Sequence, residues 1–155
     1  MQLFNRKTIR RYRDGIAVNA AHSEILAEWA EMIRSGRILN LKETALHGEF
    51  TSKIVQGVLG YRGASSGSDY TVSAEQSILQ GSADLALGRF GGQAAEIVAP
   101  FELKGATTRD LDAIMPRRNK SPVQQAWEYA INARGVKWVL VSNYVLWIWR
   151  GHGRL

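Results

Sequence analysis

The stretch Ala99-Pro100-Phe101-Glu102-Leu103-Lys104-Gly105 decides how this chain is read. On a β-strand, alternation sends Glu102 and Lys104 to one face and Phe101 and Leu103 to the other. The second face is apolar and belongs to a core. The first carries a carboxylate and an ammonium, which alone reads as an exposed ion pair worth about 0–1 kcal/mol. Upstream, Gly81-Ser82-Ala83-Asp84-Leu85-Ala86-Leu87-Gly88 sets a lone acid into an otherwise apolar strand. Gly91-Gly92 lies between the two strands and suits a hairpin. Pairing would bring Asp84 and Glu102 within side-chain reach. Two carboxylates about 4 Å apart repel by roughly 4 kcal/mol at an effective dielectric of 20. Such a pair calls for a cation or a proton. Mg2+ takes oxygen ligands and keeps several waters, so Asp84, Glu102 and the backbone carbonyl of Leu103 suit half of its shell. Its open positions would serve a phosphate oxygen and an attacking water, with Lys104 orienting that water or balancing charge on phosphorus.

The flanking sequence supplies the layers. A first helix is expected from about Ala21 to Ser35, where Ile25, Trp29 and Ile33 draw an apolar stripe and Gly36 is a natural stop. A second should cover about Leu41 to Leu59, with Leu46, Phe50, Ile54 and Val58 four apart and Gly48 as a weak point. Gly63 to Ser68 is a loop by composition, and the pattern is strand-like from Tyr70 to Lys104. Ser121 caps a third helix, Pro122 suits its first position and Gly135 closes it. Val136 to Val141 is a buried-type strand, Ser142-Asn143 a turn, and Tyr144 to Arg150 a final strand. Trp138, Trp147 and Trp149 are expected in the core or on strand faces. This order predicts an α/β domain layered on one central mixed sheet.

Residues 1–20 carry Arg6, Lys7, Arg10, Arg11 and Arg13, and read as a basic N-terminal arm, either solvated or phosphate-contacting; residues 21–155 read as a single domain. The 20 basic and 14 acidic residues give a formal charge of +6, which suits a polyanionic partner. Arg117, Arg118 and Lys120, just before the capped helix, are candidate phosphate contacts or a solvated loop. With no cysteine, disulfides, cysteine-type zinc sites and thiol catalysis are excluded. No apolar run approaches the ~18 residues that span a bilayer, and no secretory signal is apparent, so the cytoplasm is the expected location.

Asp84 followed by Glu102-Leu103-Lys104 resembles the signature of the PD-(D/E)XK nuclease superfamily, an acid and then acid-x-lysine on the next strand. The resemblance implies a restriction-endonuclease-like core in α-β-β-β-α-β order, here with an extra N-terminal helix. It implies phosphodiester hydrolysis in double-stranded DNA with Mg2+, for which Mn2+ substitutes. Members also place a glutamate on the helix before the meander, a place taken by Glu49, which the resemblance implies serves the metal directly or through water; its plain reading is a surface pair with Lys53. A subset carries Gln-x-x-x-Tyr on the next helix, matched by Gln125 and Tyr129, to which the resemblance gives a part near the DNA backbone or the active-site lysine; their plain reading is a polar edge beside Ala126, Ala130 and Ala133. The layout is most similar to the N-terminal nuclease domain of type IIG restriction–modification enzymes, a bacterial defence. Ala83 departs from the proline that often precedes the first acid. Because such relatives continue into a methyltransferase and a target-recognition domain, the expectation is a domain from a larger protein, with dimers for double-strand cutting. A junction or repair nuclease, and a non-catalytic DNA-binding module on the same fold, are the alternatives.

Overall fold

The strand carrying the acid–lysine pair lies in the middle of a five-stranded mixed sheet, in a computed structural model that describes residues 6–13, 15–16, 18–78 and 81–151. Strands β1 (Tyr70–Ile78), β2 (Gly81–Phe90), β3 (Glu96–Leu103), β4 (Trp138–Ser142) and β5 (Trp147–Gly151) lie side by side in chain order. Helices α1 (Arg6–Arg13), α2 (Ala20–Arg34) and α3 (Glu43–Glu49) precede the sheet, and α4 (Pro122–Asn132) lies between β3 and β4. The first three strands form an antiparallel meander. β4 then joins β3 in parallel, which requires a crossover, and α4 provides it. β5 returns antiparallel to β4.

Local chemistry explains most of these bounds. The Ser121 hydroxyl accepts from the Gln124 N–H while the Gln124 side chain accepts from the Ser121 N–H, a reciprocal cap that starts α4 where expected. The Asn19 side chain caps α2 in the simpler way. The second expected helix begins at Glu43, two residues late, and changes character: Phe50–Val58 is a π-helix. The stripe Leu46, Phe50, Ile54, Val58 runs through the change. A strict four-residue repeat overshoots the 3.6-residue α turn by about 0.4 residue each time. In the wider π turns Phe50, Ile54 and Val55 are buried and Val58 is half-buried.

The sheet separates two apolar layers. On one side Trp29, Leu46, Phe50 and Val55 pack against Leu85, Phe101, Leu103 and Tyr144. Phe50 is the hub, with ring centroids 5.7 Å from Trp29, 6.0 Å from Phe101, 5.3 Å from Tyr144 and 5.2 Å from Trp147. On the other side Val123, Ala126 and Ala130 of α4 cover Ala86, Ile97, Val139 and Val141.

Within the basic arm, residues 6–13 form an exposed helix with no buried residue; residues 1–5, 14 and 17 of that arm lie outside the described part. Trp138 lies at the start of β4, 38% exposed, on a strand face as expected. The side chain of Trp149 is also outside the described part. Among the described residues no helix is long and apolar enough to cross a membrane.

Phe50→Ala should cost about 3–5 kcal/mol, the usual loss for a buried aromatic. Urea denaturation measures it, and a loss below about 1 kcal/mol would show that Phe50 is not the hub.

Candidate active site

β2 and β3 pair with Leu85 opposite Phe101 and Ala86 opposite Pro100, so one further step sets Asp84 opposite Glu102. At this step the backbone ladder gives way to a side chain. The Asp84 carboxylate accepts the Leu103 N–H at 2.7 Å, in the place a strand carbonyl would occupy. This fixes Asp84 against β3 without a neighbouring cation. The next residue is held from the other side, because the Lys104 N–H donates to the Ser142 carbonyl at 2.9 Å. The loop after Lys104 is tied down in turn by the Asn143 amide, which donates to the Thr108 carbonyl at 2.8 Å.

Glu102 and Lys104 share a strand face, as alternation requires, and their side chains form an ion pair to Glu102 Oε1. Glu102 is 1% exposed and the Lys104 side chain 13%. Glu102 Oε2 is buried with no hydrogen-bond partner. Burial, and then the charge of Asp84, push the Glu102 carboxyl from an ordinary 4.5 up to about 7, against the opposing pull of Lys104 and Arg118. A partnerless buried carboxylate oxygen beside a second acid fits a cation. Asp84 and Glu102 are the side chains that would hold it, with the Leu103 carbonyl on the same side of the strand as the N–H that Asp84 accepts. Among the described residues no three His, Cys, Asp or Glu side chains gather into a metal-ligating group. Any such ion would therefore rest on two carboxylates and backbone or water oxygens.

Helix α4 brings Gln125 and Tyr129 to the same place. Gln125 is buried, and its amide donates to Tyr129 Oη at 2.8 Å. The Tyr129 ring lies over the start of β2, where a Cβ on Gly81 would stand 2.8 Å from Tyr129 Cε1. Burial raises the Tyr129 pKa, helped by the charges of Glu102 and Asp84 and opposed by Gln125 and Arg118. Arg118, exposed in its loop, donates to Gln125 Oε1 at 2.7 Å and so joins this group. Neither Arg117 nor Lys120 is seen to bond to Gln125. Lys120 pairs with Glu128 at 2.5 Å, and Arg117 is exposed in the loop.

Glu49 is not at the site. Its exposed carboxylate lies 4.0 Å from Lys53 and lines a cleft with Glu28, Trp29 and Arg37, so the surface-pair reading holds. The helix carboxylate that points toward the end of β3 is Glu43. A Cβ on Gly105 would lie 3.8 Å from Glu43 Oε2. Tyr144, whose buried hydroxyl has no partner, has its pKa raised by burial, then by Glu43 and by Asp84. The available signal for Glu43 was its position in the first helical turn, where an acid complements the helix N-terminus.

Compared with known proteins, the chain matches no family model, no curated protein and no solved structure.

The raised Glu102 pKa carries a sign. A carboxyl whose folded pKa exceeds its unfolded one contributes stability that is complete below about 4.5 and is lost as pH rises through about 7. In chelator, the melting temperature relative to Glu102→Gln should therefore fall between pH 5 and 8. A relative rise over that interval would contradict the buried-acid geometry.

Proposed function

We propose that this chain is a divalent-metal-dependent DNA endonuclease domain of the PD-(D/E)XK superfamily. The observation that carries the reading is the convergence of Asp84, Glu102 and Lys104 at one step of the β2–β3 pair, with Glu102 Oε2 buried and unpartnered. The element order supports it: a helix, an antiparallel meander, a crossover helix and a parallel strand, which is the α-β-β-β-α-β order of a restriction-endonuclease-like core. Here α2 adds to that core at its N-terminal side and β5 extends the sheet.

Asp84, Glu102 and the Leu103 carbonyl are the residues assigned to Mg2+ or Mn2+, which when bound supplies positive charge at the scissile phosphate and acidifies a water. The protein's own part is positioning and charge. The hydrogen bond from Leu103 keeps Asp84 pointed at its partner acid. Lys104, anchored through its backbone to Ser142, presents an ammonium at the carboxylate edge. There it orients the attacking water and offsets negative charge as it grows on the phosphate oxygens. Glu43 stands outside the pair and acts through water. The +6 charge gathers duplex DNA without reading its sequence. A restriction-type role beside methyltransferase and target-recognition partners, with two copies for double-strand cuts, completes the proposal.

Incubation of supercoiled plasmid with the protein and Mg2+ or Mn2+ tests it. Nicked and linear products should form and EDTA should stop them; cutting that persists in chelator refutes the metal assignment. Lys104→Ala should lose about 100-fold or more in rate with its melting temperature retained. Full activity in that variant removes the lysine from the chemistry.

The two helix glutamates separate cleanly. Glu43→Ala should lower the cleavage rate by about tenfold, as loss of an outer partner does, while Glu49→Ala should leave it unchanged. The opposite ranking in single-turnover assays would return the role to Glu49.

A further inference from the structure

Arg118, Gln125 and Tyr129 form a row of hydrogen bonds whose direction is fixed by the chemistry of its members. A guanidinium has donors only. The Gln125 atom that Arg118 meets at 2.7 Å is therefore the amide oxygen. Its NH2 is left to face Tyr129 Oη at 2.8 Å, where the hydroxyl must accept. A hydroxyl that accepts there keeps its own hydrogen for another partner. Among the described residues nothing accepts that hydrogen, and the ring is set over Gly81, three residues before Asp84. Gln125 is 6% exposed, so its amide does not turn to bulk water instead.

The base of the row is also prepared. Arg118 lies in a tight turn closed by the Met115–Lys120 bridge, where the Arg118 and Asn119 N–H groups both donate to the Met115 carbonyl at 3.0 Å. Asn119 takes the left-handed conformation that such a turn requires, with φ of 51°. The turn thus fixes the Arg118 backbone, and from there the side chain reaches Gln125.

We propose that Arg118 is a positioning residue: acting through Gln125, it holds the Tyr129 hydroxyl as a hydrogen-bond donor to a non-bridging oxygen of the phosphate at the Asp84–Glu102 pair. This rests on the nuclease reading and changes the part of Arg118 within it, from a direct phosphate contact to a residue that sets the polarity of another. The row works because one end has no acceptor and the other has a proton to give.

A double-mutant cycle on plasmid nicking in Mg2+ tests the relay. Arg118→Met and Tyr129→Phe should each lower kcat by about tenfold with KM changed less than about twofold, the size expected for one hydrogen bond made at the reacting group. The double variant should be no slower than Tyr129→Phe alone, since both changes break one row. Arg118→Lys, which also only donates, should recover kcat to within about threefold of the unsubstituted protein. Losses that multiply in the double variant, or an Arg118→Met effect confined to KM, mean a direct DNA contact and overturn the relay while leaving the nuclease reading intact. An Arg118→Met protein that melts well below the others marks a purely structural part and overturns the relay too. If the unsubstituted protein leaves plasmid intact in both Mg2+ and Mn2+, the nuclease reading falls and takes the relay with it.

Discussion

The hydrogen bond from the Leu103 N–H to the Asp84 carboxylate joins the chemistry of this chain to its architecture. A strand N–H in the middle of a sheet must find an acceptor, because an unmet buried donor costs about 1–3 kcal/mol. Here the acceptor is an acid, so the same bond that completes β3 also decides where a negative charge sits. Glu102 then comes opposite it by register, buried, and an uncompensated carboxylate in that position is expensive. Lys104 satisfies only one of its oxygens. The remaining demand for positive charge is a property of the strand pairing itself, and the functional reading rests on it.

The two sides of the sheet serve this arrangement differently. The side packed by α2, α3 and the π-helix is built from large rings, with Phe50 wedged among Trp29, Phe101, Tyr144 and Trp147, and it fixes the sheet from behind. The side under α4 is lined by small residues: Ala126 and Ala130 on the helix face Ala86 and Val139. Small residues let a helix approach closely. This brings Gln125 and Tyr129, which share a helix edge at four-residue spacing, beside the acids.

Much of this was legible in the residue order because the signals are local. Alternation placed Glu102 and Lys104 together, and the cap at Ser121 placed the turns of α4 that carry Gln125 and Tyr129. What was not legible depends on contacts between distant segments. Glu43 and Glu49 lie on one helical segment, and which of them turns toward β3 depends on how that segment docks. The π turns from Phe50 onward were hidden for a related reason: a four-residue repeat is compatible with either helix. The bond from Arg118 to Gln125 was not legible either, since the two lie seven residues apart across a turn and a helix start.

Gly88 shows how the placement of the acids is guarded. A Cβ there would stand 2.0 Å from the Glu96 carbonyl oxygen, so only a residue without a side chain fits that point of the β2–β3 pair. A slip of one residue would bring Leu87 or Arg89 to the same point, and each would collide with backbone that has no room to yield. The same slip would replace Asp84 opposite Glu102 by Ala83 or Leu85, turning the acid away from its partner. A missing methyl group four residues along the strand thus acts as a proofreader of alignment: misaligned hairpins are rejected by steric exclusion before they can present an inert site.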